Sequence, residues 1–112
     1  MGIRTVKNEL EAKLTGKSVF FSKPSGKVER KSYADGTERL RITLRKIKSS
    51  ENTVAVVKAD GKEVALIPLV DGGGKFDNES TNTDEIPDFK VGQTITVEID
   101  GKLALSGRLH TD

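Results

Sequence analysis

Val57-Lys58-Ala59-Asp60-Gly61-Lys62-Glu63-Val64-Ala65-Leu66 is the stretch whose reading decides the fold. Two apolar runs flank Asp-Gly, the dipeptide that supplies the two positive φ values of a type I′ turn, so the segment predicts a tight antiparallel hairpin. Val97-Glu98-Ile99-Asp100-Gly101-Lys102-Leu103-Ala104-Leu105 echoes it with one residue omitted. The echo reads as a second hairpin answering the same geometric demand. Asp35-Gly36 predicts a third, joining residues 27–33 to residues 37–47.

Outward from these turns, residues 39–44 and 94–99 alternate strictly. Leu40, Ile42 and Leu44 face one way against Arg39, Arg41 and Thr43, and Ile95, Val97 and Ile99 oppose Thr94, Thr96 and Glu98. Such period-2 patterning marks a strand buried on one face. Leu103, Leu105, Gly107 and Leu109 extend a third alternation, and residues 9–14 predict a first strand with Leu10, Ala12 and Leu14 inward. Residues 54–57 and 64–69 are apolar more continuously, which suits strands between layers. Pro68 lacks an N–H and belongs at an edge, bulge or strand end. Asp71-Gly72-Gly73-Gly74 reads as a flexible connection; in the polar stretch after it, Phe76 belongs to a short strand and Ile86 and Phe89 pin the loop. Seven or eight strands with no helical period predict an all-β, antiparallel β-sandwich, immunoglobulin-like in general form.

A chain of 112 residues suits one domain, residues 1–112, with residues 1–8 expected as a flexible N-terminal segment. Nine Leu, seven Ile, ten Val and four Phe make 30 strong core formers, about 27%, above the roughly 20% below which chains tend to stay disordered. Val and Ile together outnumber Leu, a bias toward the pleated surface. The absence of cysteine excludes disulfides and thiolate chemistry. No apolar run approaches a membrane-spanning length, and the N-terminal residues contain no apolar signal core, so membrane insertion is not expected.

The net charge of +2 conceals a split. Residues 1–50 carry thirteen Lys and Arg against five Asp and Glu, while residues 51–112 carry six against twelve. Interleaving of strands from both halves is expected to cancel much of this in space. Catalysis has little support. His110, the one histidine, sits near the end without a partnering motif, and a general base needs a positioned partner. Gly74-Lys75 precedes Phe76 rather than Ser or Thr, so no phosphate loop is formed. Asp71, Asp77, Asn78, Glu79, Asp84 and Glu85 are oxygen-rich enough to suggest Ca²⁺, but their spacing is not that of an EF-hand loop. No cofactor is expected. Outward Arg39, Arg41 and Arg45, with Lys31 and Arg30 across the hairpin, form the candidate anion-binding strip. The scarcity of aromatics beside it disfavours nucleic acid.

Leu14-Thr15-Gly16, Ser25-Gly26-Lys27-Val28-Glu29, the charged strand through Leu40, Asp71-Gly72-Gly73-Gly74, Ile86-Pro87 and Leu105-Ser106-Gly107-Arg108-Leu109 together resemble small β-sandwich modules of bacterial exported and surface proteins. In general pattern these are similar to the CHRD (chordin) domain. The His-x-His element usual in the middle of such domains is missing here, so any metal role tied to it does not carry over. The resemblance implies a non-enzymatic structural or adhesive module, extracellular or on the cell surface, with protein partners. Self-assembly would pair residues 9–14 with the exposed edge of another copy. The alternative is a binding module for an anionic polymer, nucleic acid or polysaccharide, through the basic strand face.

Overall fold

Turn chemistry sets the strand order. The computed structural model describes residues 5–17, 23–48, 52–81 and 86–111. Its strands are β1 (Val6–Thr15), β2 (Ser25–Tyr33), β3 (Glu38–Arg45), β4 (Val54–Ala59), β5 (Lys62–Pro68), β6 (Gly74–Ser80), β7 (Thr94–Ile99), β8 (Lys102–Arg108) and β9 (His110–Thr111). Asp60-Gly61 has φ values of 49° and 83°, and Asp100-Gly101 has 50° and 76°, the paired left-handed conformation of a type I′ turn. At Asp35-Gly36 only Gly36 is left-handed, with φ 90°. Gly36 N–H donates to Tyr33 O and Tyr33 N–H to Thr37 O, so this hairpin closes on a longer loop with a bulged glycine.

Asp71-Gly72 is a fourth such turn, with φ values of 52° and 80°. Val70 N–H donates to Gly73 O at 2.8 Å and Gly73 N–H to Val70 O at 3.0 Å. The expected flexible connection is therefore a two-residue turn between β5 and β6, and Phe76 lies in a seven-residue strand. β1 likewise begins earlier than expected. Val6 pairs with Tyr33 and Asn8 with Ser32, so residues 6–8 belong to the sheet rather than to a free N-terminal segment.

One antiparallel path runs β5-β4-β7-β8-β1-β2-β3-β6, with β9 added to β1. The all-β antiparallel expectation holds, at eight strands and a short ninth. Two separate sheets are not formed, because pairing crosses between layers at Thr15 and Ser106, Glu11 and His110, and Leu10 and Thr111. Glycines permit that crossing: a Cβ on Gly107 would lie 2.2 Å from Lys13 O, and one on Gly16 would lie 2.1 Å from Ala104 O. The path's ends, β5 and β6, meet at their shared turn, where a Cβ on Gly74 would lie 2.6 Å from Ile67 Cγ2. The sheet is thus rolled into a nearly closed barrel shape.

Ala12, Leu14, Val28, Leu40, Ile42 and Leu44 fill the core from one side, and Ala55, Val57, Ile67, Ile95, Val97 and Leu105 from the other. Each fully buried aliphatic side chain contributes roughly 1.5–3 kcal/mol. Ile86 and Phe89 close the core as the patterning predicts, at 1% and 8% exposure. Leu103 departs from its expected inward alternation and is 65% exposed. The register of β7 and β8 slips between Val97 and Glu98, leaving Ala104 as an extra residue that turns Leu103 outward. β4 and β5 slip at the matching place, between Val57 and Lys58, with Val64 extra. The two Asp-Gly hairpins therefore correspond residue for residue, without the omitted position, about the Val57–Val97 pair where β4 meets β7.

The expected interleaving of the chain's halves is carried by β6 and the short β9. β1, β2 and β3 come from the first half and are joined by β6 and the short β9 from the second, with β8 meeting β1 at Thr15; β4, β5, β7 and β8 pack as the opposite side. The charge split in sequence does not become a split between the two sides: β1, β2, β3 and β6 carry nine Lys and Arg against six Asp and Glu, and β4, β5, β7 and β8 carry four against two.

Candidate anion-binding face

The outer face of β1-β2-β3-β6 carries the charged strip, and its pairing arranges side chains in rows across the strands. Glu9, Lys31, Arg39 and Glu79 form one row. Glu11, Glu29, Arg41 and Asp77 form the next, and Lys13, Lys27, Thr43 and Lys75 the third. Arg45, opposite Ser25, lies beyond the third row.

The first two rows are tied to each other by ion pairs, the first balanced in charge and the second holding three carboxylates to one guanidinium. Arg39 donates from Nε to Asp77 Oδ1 at 2.8 Å and from Nη2 to Oδ2 at 2.6 Å, a two-pronged pairing that also fixes geometry. This guanidinium holds the Asp77 carboxyl below its ordinary range, chiefly through the hydrogen bonds, and Asp77 holds the Arg39 pKa up. Arg41 Nε lies 3.5 Å from the same Asp77 Oδ2, without a hydrogen bond of its own. Lys31 Nζ sits 3.8 Å from Glu9 and 3.9 Å from Glu29.

The third row has no such balance. Lys27 Nζ reaches back to Glu11 at 3.4 Å and Glu29 at 3.9 Å. Lys13, Arg45 and Lys75 are exposed and have no ion pair among the described residues. Lys27, Glu29, Arg41, Thr43, Arg45 and Lys75 line a shallow concavity of about 490 Å³. The face is cationic at this end, with carboxylates in excess in the second row and charges balanced in the first.

Of the five residues expected to bind anions, the structure brings Lys31, Arg39, Arg41 and Arg45 to this face and sends Arg30 to the other side of β2. Arg30 is 8% exposed. It donates from Nε to Pro87 O at 2.8 Å, from Nη1 to Ser32 Oγ at 3.2 Å and from Nη2 to Glu38 Oε2 at 2.9 Å, with Asp88 Oδ1 at 3.5 Å. Its charge is used in fastening the 86–90 segment to β2 and β3. Only Arg45 of the five keeps an uncompensated charge. Lys13 and Lys75 were not legible as neighbours, since β1 and β6 reach this face through pairings distant in sequence. Lys27 could have been found by counting back from the Asp35-Gly36 turn to its partner Thr43.

The remaining candidates do not assemble. His110 is paired with Glu11 in β9 rather than frayed, and its Nδ1 lies 3.0 Å from Thr111 O. Asp71 is taken up in a turn, Asp77 and Glu79 point outward from β6, and Asn78 alternates to the inner side. Asp84 and Glu85 lie outside the described residues. Among the described residues no three His, Asp or Glu side chains converge for a metal ion. β1, expected to be available for self-assembly, is paired on both sides; the edge strands are β5 and β6. Comparison with protein-family models and with curated proteins finds no match.

Proposed function

We propose that the protein is a non-enzymatic structural or adhesive module that holds an anionic polymer at the cationic end of its β1-β2-β3-β6 face. One observation carries this reading. A face that neutralises Lys31, Arg39 and Arg41 with its own carboxylates leaves Lys13, Arg45 and Lys75 without an ion pair among the described residues, Arg45 and Lys75 lining a shallow concavity with Lys27 and Glu29. Cations held close together on a rigid sheet bind polyanions by displacing their counterions. The non-catalytic part of the reading rests on the lack of a motif placing nucleophile, base and orienting group together. Export or surface display, and a sandwich of immunoglobulin-like form for the rolled sheet, belong to the same proposal and are supported by the resemblance to surface modules.

The test is elution from sulfonate-bearing beads. The Lys13→Gln/Arg45→Gln/Lys75→Gln variant should elute at clearly lower salt than Lys62→Gln/Lys90→Gln/Arg108→Gln, which changes net charge equally at exposed positions elsewhere. Equal elution of the two would mean that net charge alone acts, and would remove the site.

A further inference from the structure

The row pattern also limits what kind of polyanion fits, an inference that rests on the reading above. Lys13, Lys27 and Lys75 lie across β1, β2 and β6. Neighbouring strands are about 4.8 Å apart, so the row spans three intervals, roughly 14 Å, perpendicular to the strands. The adjacent row, two residues along each strand and therefore about 6.6 Å away, presents Glu29 and Asp77 with Arg41, beside a buried Glu11. Anionic groups that spread sideways from the cation row meet carboxylates.

A DNA duplex carries two phosphate strands set apart by grooves about 6 and 12 Å wide, and would lay phosphates over that carboxylate row. A single nucleic-acid strand is narrow enough but draws much of its affinity from bases stacking on exposed aromatics. Among the described residues Tyr33 and Phe89 are buried and Phe76 is turned toward the core, while Phe20 and Phe21 lie outside them. We propose that the ligand is a narrow, base-free linear polyanion, a sulfated polysaccharide chain, laid along the cation row across β1, β2, β3 and β6. The carboxylate row excludes wider polyanions.

Fluorescence anisotropy at one salt concentration, with the intact chain, tests this against dextran sulfate, uncharged dextran, a duplex DNA and an oligo-dT strand of matched charge. The expected result is dextran sulfate binding at least tenfold tighter than either DNA, with none to uncharged dextran. The Asp77→Asn variant, which removes a carboxylate of the adjacent row that pairs with Arg39 and Arg41 and with no member of the cation row, should raise duplex binding severalfold while changing dextran sulfate binding less than twofold. Duplex or oligo-dT binding as tight as dextran sulfate overturns the ligand class while leaving polyanion binding intact. Binding of none of the polyanions overturns both.

Discussion

Single residues carry two kinds of information in this chain, backbone and charge. Gly61 and Gly107 separate the backbone kinds. Gly61 needs its left-handed φ of 83° and has open space around it, so Gly61→Ala should cost about 1 kcal/mol, the strain of placing a Cβ in that region. Gly107 has no such φ, yet its missing Cβ is what lets β8 cross β1 beside Lys13 O. Gly107→Ala should cost more, about 2–3 kcal/mol as for overpacked sites, and urea denaturation of the two variants gives the ordering. Asp77 supplies the charge case. Its carboxyl is held below the ordinary value of 3.8, so its contribution to stability is complete above that range and is lost as pH falls through the lowered pKa. Thermal midpoints followed from neutral pH downward should fall less steeply for Asp77→Asn. At neutral pH that variant should lose only about 0.5–1 kcal/mol, because the pair is partly exposed. The Asp-Gly turns were legible at this scale because their φ requirement is local. The role of Gly107 was not, since the backbone it touches lies more than ninety positions earlier.

At the scale of elements, alternation located most strands and failed where a bulge reversed it. Leu103 and Leu105 look alike in sequence, but the extra residue Ala104 sends Leu103 outside and leaves Leu105 1% exposed. Leu105→Ala should therefore cost about 2–5 kcal/mol, whereas Leu103→Ser should stay within about 0.5 kcal/mol; matched melts of the two check the register. β2 shows the same logic for a charged side chain. Arg30 sits among outward Lys27, Glu29 and Lys31 in sequence but at an inward position, where it is satisfied by Pro87 O, Ser32 and Glu38. Removing such a partnered buried charge strands its acceptors, so Arg30→Ala should cost about 2–4 kcal/mol. Amide exchange around Phe89 should accelerate with it. Counting parity from Val28 would have assigned Arg30 inward, whereas reading it as one more basic residue did not. β6 was the element least visible, since Gly74-Lys75-Phe76-Asp77-Asn78-Glu79-Ser80 has one apolar side chain and is held as a strand by its pairing with β3.

For the whole molecule, the uneven charge along the chain largely evens out between the two sides of the barrel, and what persists is unevenness within the β1-β2-β3-β6 face, to which β6 comes from the second half. That strand contributes opposite signs at two places: Asp77 quenches Arg39 and Arg41, while Lys75 extends the row of Lys13 and Lys27. The cationic end is thus a product of long-range pairing, which explains why a basic strip was legible in sequence while its composition was not. The most direct test is amide chemical-shift mapping by NMR during titration with a short dextran sulfate oligomer. Shifts should be largest at Lys13, Lys27, Thr43, Arg45 and Lys75, and small at Lys31 and Arg39. Shifts centred on Lys31, Arg39 and Arg41, or on the exposed apolar strip of Val54 and Leu66 on the opposite side, would contradict the account.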